Sequence, residues 1–421
     1  MNLRIKILFI ICAALFAQVC FAHINTTKIS SSDFDKNIKI LSTTETQSDS
    51  IISGEVSGVL TLEHSPYIIQ DTVIVPSGST LTIEPGVTIK LQPHSYYQKG
   101  AKIIVFGSIR AIGTEEDSIT ITRSEENGYW GTILLRENSN NCRFEYCSIS
   151  YGSGALVGSY SSDAAIYAYE SAPTVKFCTF KKNIWGLCIS GESGAIVSHC
   201  HFKYNRDIGI MSLSGEALLE NILAHHNGTG VFFSGKNAVL KNSTIINNGT
   251  GVFFSGYRKA PAINCIIWNN STNIFDRSTD LYGTAEISYS NIQGGWQGYG
   301  NIDMDPLFVG ADSNDYHLQA LSPCIDGGNP NSSYNLEPDY NGNIINMGAY
   351  GNTPEATISQ VNSPEILITY PMLNFGLLSI YDEDSLIITI RNIGSASLHI
   401  QSIERHDSIF NCNLPQSDIA P

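Results

Sequence analysis

Charge is what this sequence has least of. Only 15% of its 421 residues are charged, against roughly 25% in an ordinary soluble domain. Its 24 Lys and Arg are outnumbered by 39 Asp and Glu, for a formal net charge of −15. Neutralising phosphates takes clustered basic side chains, so nucleic acid is excluded as a partner, as is an electrostatic anchor on anionic lipid. Beyond the first 22 residues no run is apolar for long enough to span a bilayer, and no stretch shows the 3.6-residue period of an amphipathic helix. What is present is 42% apolar residues, aromatics included at 10%, which excludes a disordered chain. With so few charges, the surface must be built largely from Ser, Thr, Asn and Gly.

Residues 1–22 read as a secretory signal. Arg4 and Lys6 supply the positive start, Ile7 to Val19 the apolar core, and Cys20-Phe21-Ala22 ends it with small residues, Cys20 and Ala22, at the two cleavage-reading positions. A lipoprotein anchor at Cys20 is the rival, poorly served by Gln18-Val19 before it. The expected destination is secreted or cell-surface, with no transmembrane segment after signal removal. Residues 23–53 follow as a Ser/Thr-rich linker.

Self-similarity organises what comes next. Asn221 to Gly235 is nearly copied by Asn242 to Gly256, at an offset of 21 residues. In the same frame Cys178, Cys200, Ile222, Ser243 and Cys265 share one position. Five residues after each comes an Asn: Asn183, Asn205, Asn227, Asn248 and Asn270. Within each unit the apolar residues alternate with period two, as Cys178 and Phe180 do with Thr179 and Lys181. A repeat near 22 residues made of strands and turns suits one coil of a parallel β-helix. Stacking buries the face a lone coil leaves open, with coils about 4.8 Å apart.

That frame assigns two structural ladders. The cysteines Cys178, Cys200 and Cys265 form an inward column of small apolar side chains; Cys178 and Cys200 are expected reduced although the compartment is oxidising, with a disulfide between them as the alternative. Cys142 and Cys147 are left open as a disulfide pair. The five asparagines form a corner column, expected to hydrogen-bond from coil to coil and to take the left-handed backbone of a sharp corner.

Further stretches resemble a known family. Ser65 to Lys90, Gly107 to Gly113 and Trp130 to Leu134 are similar to the opening of secreted right-handed parallel β-helix repeat proteins of the pectate-lyase-like superfamily. Asp305-Pro-Leu-Phe308, Asp315-Tyr-His-Leu318, Ser322 to Gly328 and Asn346-Met-Gly-Ala-Tyr-Gly351 resemble its closing motifs. The family usually places a basic residue and an Asp where Ile344-Ile345-Asn346 stands. The resemblance implies an all-β coil over residues 54–350, about 13 coils and roughly 60 Å long. After a linker at 351–363, residues 364–421 resemble a choice-of-anchor D or ASH-type immunoglobulin-like module, on Leu373-Asn-Phe-Gly376 and Ile388 to Ile400. Such a sandwich needs about 100 residues, so the module reads as truncated and the sequence as a fragment.

The family includes lyases and hydrolases acting on polysaccharide, which need converging carboxylates. No Asp-Asp, Asn-Thr-Asp or Gly-His-Gly occurs, and the best-defined coils offer no acidic column. No catalytic residue and no cofactor is assigned. Asp303, Asp305, Asp312 and Asp315 raise a calcium-stabilised loop, against which ordinary turn carboxylates are preferred. His201 and His225 lie on adjacent coils but two positions apart along the strand, about 8 Å, too far to share a metal easily. Outward positions offer Lys203, His225 and Trp268, and an exposed apolar stripe through Phe232 and Phe253 that Cys188 and Met211 continue. The leading expectation is a non-enzymatic binding scaffold whose partner is polysaccharide or a cell-surface protein. The alternatives are a lyase or hydrolase of the same fold, and a structural adhesin or spacer.

Overall fold

The computed structural model describes residues 50–358, apart from 97, 138, 140, 158–159, 192–193, 214–215, 235–237, 256–260, 278–284 and 340, together with 366–368, 390–392, 398–400 and 418–419. The expected signal, most of the linker before the coil and most of the immunoglobulin-like module lie outside the described residues. The stretches described there form two short antiparallel pairs, Ile366–Ile368 with Ile390–Asn392 and Leu398–His399 with Asp418–Ile419.

From Ser50 onward the chain winds as a three-faced coil of parallel strands. One turn shows the plan. Thr174–Lys176 lies on the third face, Thr179–Lys181 on the first and Trp185–Ser190 on the second. The next turn places Ile196–Ser198, His201–Lys203 and Ile208–Ser212 beside them in parallel register. The third face runs through ten strands, from Gly58–Leu60 to Ile287–Ser288, and the first face closes at Asn291–Ile292. Ten strands make a stack of roughly 45 Å. After residue 292 only Ile302 adds a parallel bridge, to Asn291, among the described residues, and the segment from Phe308 onward lies across the first face.

Each of the two corners that flank the first face is one left-handed residue. The corner into the first face falls on Phe177, His199, Asn221, Asn242 and Asn264, and the corner out of it on Lys182, Tyr204, His226, Asn247 and Asn269, all with φ between 45 and 57°. The left-handed residue therefore precedes the ladder asparagine, which is not itself left-handed. Bulky side chains cost about 1–2 kcal/mol in this conformation. Stacking along the corner offsets it: Tyr146 on Phe177 at 4.7 Å, Phe177 on His199 at 4.8 Å, and Tyr204 on His226 at 4.9 Å.

The interior is a column-by-column core. Phe180 stacks on Phe202 at 4.8 Å with rings 9° from parallel, as coil spacing dictates. The thiol column is longer than the sequence frame gave. Cys147 joins Cys178, Cys200 and Cys265, with Ile222, Ser243 and Ser290 in the same row. Cys142 and Cys147 are both free and buried, as are Cys178, Cys188, Cys200, Cys265 and Cys324. No helix among the described residues is long and apolar enough to cross a membrane.

Candidate functional site

The asparagine ladder is continuous. Nδ2 of Asn183, Asn205, Asn227 and Asn248 donates to Oδ1 of the next coil's asparagine at 2.9–3.0 Å, and Asn270 donates to Asn273. Each Nδ2 also donates to a main-chain carbonyl of the preceding coil. These amides are buried and use both ends in building the corner, so none is available to a ligand.

The residues proposed for binding separate onto two faces. Lys181, Lys203, His225, Ile246 and Trp268 are neighbours in one outward column of the first face. Phe232 and Phe253 belong to an outward column of the second face, Ile104-Leu134-Tyr167-Cys188-Met211-Phe232-Phe253-Phe275. Alternation placed both aromatics outside the coil, where they stack at 4.7 Å. They are nevertheless buried, at 5% and 7% exposure, in an apolar cluster with Trp185 and Val157. The stripe is a second core rather than an exposed patch.

His225 also departs from the expected solvated position, being 2% exposed. The closing segment covers it. Phe308–Gly310 and Asp315–Leu318 form a hairpin whose Tyr316 packs 5.4 Å from the His225 ring. Tyr316, Leu318, Met347 and Ala349 then bury the outward Leu223, Ile246 and Ile266. Polar ties fix the cover: Asn221 Nδ2 donates to the carbonyls of Ala349 and Gly351 at 2.9 and 2.8 Å, and the Ala349 N–H donates to Thr244 Oγ1 at 2.9 Å. Burial, then His226 and Lys203, lower His225 to about 3. Burial lowers His201 to about 4. Both imidazoles are therefore neutral at pH 7.

Where the cover ends, a groove of about 330 Å³ opens. Its floor is the partly buried Trp268 with Ile246, Asn247 and Asn269; its wall is Asp305, Phe308, Asp312 and Gln319. Asn269 Nδ2 donates to Asn247 Oδ1 at 2.6 Å, and Asn247 Nδ2 donates to the Tyr316 hydroxyl at 3.2 Å. Among the described residues no three His, Cys, Asp or Glu side chains converge to hold a metal, so Asp303, Asp305, Asp312 and Asp315 form no such set. Asp305 caps its own turn through the Leu307 N–H at 3.0 Å, and Asp315 holds His317 Nδ1 at 2.6 Å.

The model of the right-handed β-helix region matches residues 19–217, 109–272 and 185–298, together two thirds of the chain. The chain belongs to the right-handed β-helix family. Within this β-helix the match ends close to the last coil, and the cover and groove wall lie beyond it. An 84-residue stretch is 40% identical to Protein bark beetle of Drosophila melanogaster, spanning 20% of this chain and 2% of that protein. No solved structure matches. Sequence reasoning placed Trp268 at an outward position but missed the groove, because its wall comes from a segment with no periodic relation to the coil.

Proposed function

We infer that this β-helix is an exported or cell-surface scaffold that binds polysaccharide at its first face without cleaving it. The groove beside Trp268 is the observation that carries the reading. A partly exposed indole offers an apolar platform for a sugar ring, and the amides of Asn269 and Gln319 supply hydrogen bonds at its rim. With Asp305 and Asp312 in the wall and a net charge of −15 overall, the field disfavours polyanions, so neutral glycans are the preferred class. Export rests on the N-terminal signal. The test is affinity electrophoresis of the full chain in gels containing neutral polysaccharides. Trp268→Ala should abolish retardation and, because Trp268 also packs against both cover clusters, lower the unfolding midpoint while leaving the far-UV spectrum unchanged. Equal retardation of the variant would remove the groove as the binding site.

Asp305 and Asp312 favour one second reading, a hydrolase, because two carboxylates lining one groove are the minimum such chemistry needs. Reducing-end release by the wild type, lost in Asp305→Asn and Asp312→Asn, would replace binding by cleavage.

A further inference from the structure

The closing segment carries an electrostatic imbalance. Residues 301–358 contain eight Asp and Glu and no Lys or Arg. Seven of these carboxylate residues are at least partly open to water, but Glu337 is only 7% exposed. Its Oε1 accepts the N–H groups of Asn346 and Asn352 at 2.9 and 2.8 Å. Its Oε2 is enclosed and has no hydrogen-bond partner.

A second carboxylate stands beside it. The Asp326 N–H donates to Asn346 Oδ1 at 2.9 Å, so Asp326 and Glu337 hold the same asparagine from two sides. The Asp326 carboxylate is tucked against the turn at 341–343, where a Cβ on Gly342 would fall 2.0 Å from its Oδ2. Burial raises the Glu337 carboxyl above its ordinary value, and Asp326 adds a smaller push in the same direction, against the lowering by the two N–H donors. Protonation alone does not resolve the site. A proton on Oε2 could be received only by the Asp326 carboxylate, and the pair would still carry a negative charge. A buried charge is tolerated when it is paired or coordinates a metal, and the segment's own sequence offers no basic side chain for pairing.

We propose that Glu337 Oε2, with Asp326 beside it, coordinates a calcium ion that ties together the loops of the closing segment. No third Asp, Glu, His or Cys converges there among the described residues. The remaining ligands are therefore main-chain carbonyls, Asn side-chain oxygens and water, the mixed oxygen set that calcium accepts with six to eight ligands. Magnesium, which demands a near-ideal octahedron, fits such a set less well.

The full chain, stripped with EDTA, is the material for the test. Calcium should raise its thermal midpoint more than magnesium does, and terbium should bind with luminescence sensitised by nearby tyrosine. Both effects should vanish in Glu337→Gln with the far-UV spectrum unchanged. If wild type shows neither effect, water fills the site and the proposal fails. It fails equally if Glu337→Gln keeps both. Should that variant not fold, Asp326→Asn, at a partly exposed side chain, decides the matter. Weakened terbium binding supports the site, and unchanged binding overturns it.

Discussion

Asn227 shows how much one side chain does in this fold. Its Nδ2 reaches the carbonyls of Phe202 and His225 and the Oδ1 of Asn248, while its own Oδ1 receives the main-chain and side-chain N–H groups of Asn205. Removing it strands several buried groups at once. Asn227→Ala should cost about 2–4 kcal/mol, since each orphaned buried group costs about 1–3 kcal/mol and neighbours relax in part. Asn270→Ala, at the more exposed end of the row, should cost less. Urea midpoints of the two variants check the ordering. The asparagine column itself was legible in the sequence, because its period reports which residues must stack. The assignment of the left-handed corner was off by one, because Lys182, Tyr204 and His226 carry no mark of that backbone and are stabilised there by neighbours one coil away.

At the scale of the element, period-two alternation tells which side chains leave the coil but not what lies above them. That is why the second-face aromatics read as a docking stripe and proved to be packed. The same rule served the interior well. Cys178 and Cys200 were legible as inward thiols because they alternate with polar neighbours, and Cys265 because it shares their place in the repeat. Their thiols donate to the carbonyls of Lys176, Ser198 and Ile263, two residues earlier, at 3.2–3.3 Å. Burial pushes all three up, Cys265 to about 12. Thiolate is the reactive form, so the native column should resist iodoacetamide at pH 8 and label fully once unfolded in urea. Mass spectrometry of native and denatured digests measures this. Rapid native labelling of Cys200 would contradict the column.

Residues 50–358 make a coil plus a cover, and only the coil announces itself in the sequence. The place of the closing segment was not legible, since nothing in Asp315 to Leu318 or Met347 to Tyr350 shares the coil's period. The cover makes stability depend on pH. His225 titrates near 6.5 when unfolded and near 3 when folded, so its burial is without penalty above pH 6.5. As pH falls from 6.5 toward 3 the unfolded state gains the proton, and stability drops by about 1.4 kcal/mol per unit. At pH 5 the loss from His225 alone should be roughly 2 kcal/mol. His226, Lys203 and His201 also face this imidazole and add to the same direction. Urea unfolding at pH 7.5 and pH 5 should show the loss, and His225→Gln should flatten it.

Every amide in the corner row points the same way, oxygen toward the start of the chain and nitrogen toward its end. The row therefore has a polarity, closed at one pole by the Gly152 N–H and at the other by Asn273 Oδ1. A whole extra turn could be spliced into its middle, and every donor would still meet an acceptor. A turn bearing Asp or Leu at that place would cut the row into two shorter ones with mismatched ends. Growth by duplication is thus permitted only in complete, like-oriented units, a constraint consistent with the near-copy of residues 221–235 in 242–256.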